Sequence, residues 1–77
     1  MSGLAIQLLN MHKARRTLYF NATEELRRRA TAAEVRAAYN ELLERGFLED
    51  RLASPYPIYK ITDRGYDAVL VPSPPRP

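Results

Sequence analysis

The stretch TAAEVRAAYNELLERG, from Thr31 to Gly46, decides the fold of this chain. Thr31 and Glu34 stand three residues apart, which is the T-x-x-E spacing of a capping box at the start of a helix. Gly46 stands where this helix must end, because glycine readily adopts the left-handed conformation that follows a helix C-terminus. The stretch therefore predicts one helix over residues 31–45.

The apolar residues of this helix fall on one side. They recur at the i, i+3, i+4, i+7 and i+8 spacing of an amphipathic helix, at Val35, Ala38, Tyr39, Leu42 and Leu43. The opposite face is small and polar and carries Ala33, Arg36, Ala37, Asn40 and Glu44. Small side chains let a partner approach closely, so the function depends on which kind of molecule binds this face.

The first part of the chain is predicted to form a helix and a short strand. Ser2 caps a helix over residues 3–16, and the β-branched and aromatic TLYF of residues 17–20 predicts a strand. The one histidine, His12, is expected to be a polar residue near the end of the first helix. A metal site is not expected, because zinc needs several more nitrogen or sulfur ligands than the chain offers.

A second short helix is predicted to end at Ala30, just before Thr31. Asn21 or Thr23 caps it, and Asn21 with Glu24 gives an N-x-x-E variant of the capping box. A short helix followed by a tight turn and a longer capped helix is typical of a helix-turn-helix unit.

The pattern changes to a hairpin after Gly46. Residues 47–52 and 58–61 predict two strands, and ASPYP, residues 53–57, predicts the turn between them. Thr62 then caps a last short helix. Residues 72–77, PSPPRP, predict a disordered proline-rich tail, which leaves residues 1–71 as the folded domain.

Composition narrows the class of protein. The chain has 77 residues, which suits one domain, and its 12 Lys and Arg against 9 Asp and Glu give a net charge of +3. This balance suits a nucleic-acid partner. The chain has no cysteine and only three glycines, and it shows no nucleophile–base pair or phosphate-binding loop. We therefore expect neither an enzyme nor a cofactor.

No apolar run reaches the roughly 20 residues of a membrane span and no signal peptide is apparent, so a cytoplasmic location is expected.

Two motifs resemble known transcriptional regulators. TAAEVRAAYNELLERGFLED resembles the recognition-helix and first-wing-strand segment of the MarR and PadR types of bacterial regulator, with Leu42, Gly46, Phe47 and Leu48 in the characteristic pattern. IYKITDRG, residues 58–65, resembles the second wing strand and the start of the following helix. The resemblance covers about Leu4 to Leu70. It implies an α+β winged helix-turn-helix fold with a three-helix core, a β-hairpin wing and a short C-terminal helix.

The resemblance also implies a small regulator that binds double-stranded DNA. Helix 31–45 would enter the major groove, where Arg36 can pair with guanine and Asn40 with adenine. The small residues Ala33 and Ala37 share that face. Phosphate contacts are expected from two helix N-termini and three arginines: Thr23, Thr31, Arg27, Arg28 and Arg51. A homodimer is expected, with the first helix or the C-terminal segment at its interface.

A second interpretation remains open. The exposed helix face is poor in base-reading side chains, and the predicted wing tip at residues 53–57 has no Lys or Arg. Many winged helices bind proteins instead of DNA. The alternative function is a protein-interaction module, either a subunit of an assembly or an inhibitor of another protein.

Overall fold

A computed structural model describes residues 1–51 and 57–70 of the chain. In these residues the fold is a small α+β structure with three helices and a two-stranded antiparallel sheet. The elements in chain order are α1 (Gly3–Ala14), α2 (Ala32–Glu44), β1 (Leu48–Arg51), β2 (Ile58–Ile61) and α3 (Asp63–Leu70). The predicted hairpin turn, apart from Pro57, and the predicted tail lie outside the described residues.

The helix predicted over 31–45 is confirmed as α2, and both of its ends are as expected. The Thr31 hydroxyl accepts a hydrogen bond from the Glu34 amide at 3.1 Å, and the Thr31 amide donates to the Glu34 carboxylate at 2.8 Å. Gly46 follows the helix with a φ of 76°. That angle is costly for any residue with a Cβ, so glycine is the natural choice there.

α1 begins as predicted and ends two residues earlier than predicted. The Ser2 hydroxyl caps the helix by accepting from the Ala5 amide at 3.1 Å. At the other end the Arg15 backbone leaves the helical region, with φ −122° and ψ 56°. The Leu18 amide then donates to the Arg15 carbonyl at 2.9 Å, so a tight turn replaces the last predicted helical residues.

The helix predicted between Asn21 and Ala30 is wrong, because residues 23–29 form successive turns. Their hydrogen bonds alternate between i−3 and i−4 acceptors and never build a regular helical ladder. The Asn21 carboxamide accepts from the Thr23 amide at 2.9 Å, so the predicted N-x-x-E box does not form. Only Ala22 and Leu26 are buried in this stretch. Packing therefore adds too little to offset the cost of nucleating so short a helix.

The strand predicted over 17–20 is reduced to a single bridge. Phe20 exchanges two backbone hydrogen bonds of 2.9 Å with Tyr59, which extends the sheet by one residue. Thr17 and Leu18 are exposed, and the turn at Arg15 keeps them away from the sheet edge. A strand propensity in the local sequence cannot overcome this constraint, because pairing needs a neighbouring strand within reach.

The predicted hairpin strands pair in an antiparallel register that places Leu48 opposite Ile61. Tyr59 and Ile61 point to the core, as the alternation predicts. Thr62 caps α3 as expected, accepting from the Gly65 amide at 3.1 Å, and its hydroxyl also donates to the Gly46 carbonyl at 2.7 Å. This second bond ties the end of α2 to the start of α3.

Four rings form the centre of the core. His12 stacks on Phe20 and Tyr39 stacks on Tyr59, each pair with ring centres 4.0 Å apart. The hydroxyl of Tyr39 lies 2.8 Å from His12 Nε2 and accepts from the Ala22 amide at 2.8 Å. The expectation that His12 is a polar residue at the end of a helix is therefore incomplete, since its side chain is fully buried.

The buried imidazole is held in its neutral form. His12 Nε2 and the Tyr39 hydroxyl share one hydrogen bond, while the Tyr39 oxygen also accepts from the Ala22 amide. Nδ1 is buried and has no hydrogen-bond partner in the described part of the chain. Burial, with a smaller contribution from Arg15, lowers the pKa of His12 to about 4. Protonation of this ring therefore opposes folding.

Removal of a core side chain should unfold much of this small domain. Leu42 is fully buried, and Leu42→Ala is expected to lower the free energy of unfolding by about 2–5 kcal/mol, measured by urea denaturation. Leu18→Ala is the matched control, because Leu18 is 50% exposed and its loss should cost less than about 0.5 kcal/mol. Equal losses in the two variants would contradict the assigned helix face.

Acid should destabilise the fold through His12 before the carboxylates titrate fully. The pKa of His12 is about 4 in the folded chain and 6.5 in the unfolded chain, so the unfolded state binds a proton first as the pH falls. The contribution of His12 to the free energy of unfolding is fully present above pH 6.5. It is lost as the pH falls from 6.5 to 4, by up to about 3 kcal/mol. Urea denaturation across this range checks the loss. His12→Phe should flatten the curve above pH 5, and an unchanged slope there would contradict the assignment.

Candidate nucleic-acid interface

The exposed face of α2 is the strongest candidate for a binding surface. All five residues predicted to face outward are exposed: Ala33, Arg36, Ala37, Asn40 and Glu44. The buried stripe that begins at Val35 holds the other side of the helix against α1 and β1. Packing on one side therefore sets which side chains the helix presents on the other.

Arg36 lies at the edge of an open cleft of about 360 Å³ between α2 and the hairpin. The Asn21 carboxamide donates to the Pro57 carbonyl at 3.0 Å and joins the turn segment to the hairpin at this cleft. The eight lining residues come from three parts of the chain: Asn21, Thr23, Glu24, Ala32, Arg36, Tyr39, Pro57 and Tyr59. The cleft continues the α2 face towards the hairpin, so one ligand can contact both.

Charges of both signs surround the Tyr59 ring. Burial raises the pKa of Tyr59, the Asp50 carboxylate raises it further, and the Arg36 guanidinium lowers it. Arg36 and Asp50 are therefore both close enough to Tyr59 to act on its phenol. A phosphate that approaches Arg36 from the hairpin side also meets the negative charge of Asp50.

The predicted phosphate-binding hydroxyls are already engaged in local hydrogen bonds. Besides capping the Glu34 amide, the Thr31 hydroxyl lies 3.2 Å from the Glu34 carboxylate. The Thr23 hydroxyl donates to the Asn21 carboxamide oxygen at 2.5 Å. Contact with a phosphate would have to exchange these bonds or use the backbone amides instead.

The predicted arginines have different surroundings. Arg27 pairs with Glu24 at 3.1 Å, but both side chains are largely exposed, so the pair is weak and easily exchanged. Arg28 is exposed and has no ion pair with any described residue. Arg51 lies away from the cleft, with its guanidinium carbon 5.5 Å from the centre of the Tyr19 ring. Arg36 and Thr23 therefore line the same cleft, whereas Arg51 is not among its lining residues.

Sequence reasoning missed two features of the molecule. The first is the burial of His12, although its spacing of four residues from Leu8 and three from Leu9 places it on the buried stripe of α1. The second is a set of cations that lie over aromatic rings around the segment Lys13–Phe20. Apart from the contact of Arg15 with Phe20, no local pattern predicts them, because the other partners come from β1, β2 and α3.

Comparisons with known proteins place the chain in no family, since no protein-family model, curated protein or solved structure matches it. No helix among the described residues is long and apolar enough to cross a membrane. The same residues contain no cluster of His, Cys, Asp and Glu side chains suited to a metal ion.

Proposed function

We propose that this protein is a small winged helix-turn-helix regulator that inserts α2 into the major groove of double-stranded DNA. The observation that carries the proposal is the exposed α2 face, which presents Arg36 and Asn40 beside an open cleft at the hairpin. The order of helix, turn segment, capped helix, hairpin and helix supports the resemblance to MarR- and PadR-type regulators.

Base reading depends on two side chains in this proposal. Arg36 makes a bidentate contact with guanine, and Asn40 makes one with adenine. The small side chains of Ala33 and Ala37 leave room for the edges of the bases in the groove. Arg27 and Arg28 contact phosphates from the preceding turns, and the amides at the start of α2 favour an anion. The chain acts by occupying its site, in the cytoplasm, without an effector ligand.

A protein partner is the second candidate function. Within Ala32–Glu44 there are three glutamates against one arginine, and the Asp50 carboxylate acts on the same Tyr59 phenol as Arg36. Such a face suits a basic patch on another protein better than it suits a phosphate backbone. In that case α2 docks on a subunit of an assembly or on a protein that it inhibits.

Binding to a random-sequence DNA pool across a salt series tests the first candidate. Arg36→Ala should weaken binding to the enriched sequence by about 1–3 kcal/mol and relax preference at one base pair. Arg28→Ala should weaken binding to all sequences and flatten the salt slope by about one unit. Arg64→Ala removes the same charge from α3 and is the control.

The outcome separates the two candidates. No retention of DNA by the unmodified protein at ~50 mM salt would reject the DNA proposal and leave the protein-docking candidate. Equal effects of Arg28→Ala and Arg64→Ala would show that only net charge matters and that the assigned face is wrong.

We also propose that two copies occupy one DNA site. One winged helix reads a short half-site, and two half-sites about one helical turn apart provide specificity. The exposed apolar side chain of Met1, which precedes α1, supports an interface at the start of this helix. Sedimentation of the protein–DNA complex should give two chains per duplex, and a mass of one chain per duplex would reject the dimer.

A further inference from the structure

The segment Lys13–Phe20 is the centre of an unusual set of contacts between cations and aromatic rings. Each of the five such contacts among the described residues includes at least one residue of this segment. At one end, Lys13 Nζ and Arg16 Cζ lie 4.9 and 4.1 Å from the centre of the Tyr66 ring. The rings hold these cations in place, so less side-chain freedom is lost when they bind a partner.

The other end of the segment reaches the outer face of the hairpin. Phe20 points inward at its bridge to Tyr59, so alternation places Tyr19 on the outer side. There Arg51 Cζ and Lys60 Nζ lie 5.5 and 5.4 Å from the centre of the Tyr19 ring. We call the segment Lys13–Phe20, together with Arg51, Lys60 and Tyr66, the 13–20 surface.

Leu18 is an exposed apolar residue within the 13–20 surface. It is 50% exposed, more than the other exposed large hydrophobic side chains of the described residues, Met1 at 45% and Ile6 at 47%. Its amide donates to the Arg15 carbonyl at 2.9 Å, so a hydrogen-bonded turn presents it. An exposed apolar side chain on an ordered turn is a ready anchor for a partner.

The charges of the 13–20 surface are positive on balance and only loosely paired. Five cations face three carboxylates, Glu25, Glu49 and Asp63, a difference of +2. The three ion pairs measure 3.0, 3.4 and 3.7 Å, and all involve exposed or partly exposed side chains. Solvent-exposed pairs contribute little to stability, so a partner's carboxylates can replace them at small cost.

We propose that the 13–20 surface binds a partner protein through an acidic segment that carries an apolar side chain. The partner's carboxylates meet the stacked cations and its apolar side chain covers Leu18. Tyrosine and arginine are enriched in protein interfaces and among their strongest contacts. A phosphodiester backbone carries no apolar side chain to cover Leu18, which favours a peptide over a nucleic acid. This site goes beyond the DNA proposal, because it lies outside the α2 face.

The test titrates the full chain with two peptides and follows the resonances of the chain by NMR. One peptide has glutamates that flank a central leucine, and the other has glutamine in place of that leucine. The leucine peptide should bind roughly fivefold more tightly and shift the resonances of Leu18, Tyr19 and Tyr66. Leu18→Gln should abolish this difference. Ile6→Gln, a matched change at an equally exposed position on α1, should preserve it.

Four results would overturn the proposal. The first two are equal affinity for the two peptides and no binding of either peptide at the highest soluble concentration. The third is the same loss of binding in Ile6→Gln and Leu18→Gln. The fourth is that a mixed-sequence DNA duplex binds at Leu18 more tightly than the leucine peptide does. The last result would make the 13–20 surface a nucleic-acid contact. The amide spectrum of each variant verifies its fold before titration.

Discussion

The fold depends on the hydroxyl of Tyr39. It bonds to His12 in α1 and to the Ala22 amide in the turn segment, while the Tyr39 ring stacks on Tyr59 of the hairpin. One side chain of α2 therefore contacts three other parts of the chain. Loss of this hydroxyl would leave a buried amide and a buried imidazole without partners, which costs more than the loss of an ordinary surface bond.

The candidate interface follows from the same anchor. Arg36 stands one helical turn before Tyr39, so the orientation of the ring sets where the guanidinium enters the cleft. The turn segment at Asn21 and the hairpin at Pro57 form the sides of the cleft, and their hydrogen bond keeps them together. The buried aromatic cluster thus positions Arg36, the one arginine of α2, and its rings Tyr39 and Tyr59 line the same cleft.

Two surfaces of different character result from this arrangement. The α2 face is small and polar, and its two charged residues, Arg36 and Glu44, have opposite signs. The 13–20 surface is positive and has exposed Leu18 within it. Under the two proposals above, the α2 face would contact DNA bases through Arg36 and Asn40, and the 13–20 surface would attract a partner's carboxylates.

The sequence by itself determined the features that depend on neighbours along the chain. The capping box of Thr31, the turn at Gly46 and the buried and exposed faces of α2 follow from spacing alone, and so do the paired strands of the hairpin. Tertiary contacts decided the rest. Residues 21–30 carry local helix signals yet form turns, because they bury only Ala22 and Leu26 and their first residues, Asn21 and Ala22, are tied to the hairpin and to α2. The spacing of His12 places it on the buried stripe of α1, but its partner Tyr39 lies 27 residues away, and no local pattern encodes a contact at that separation.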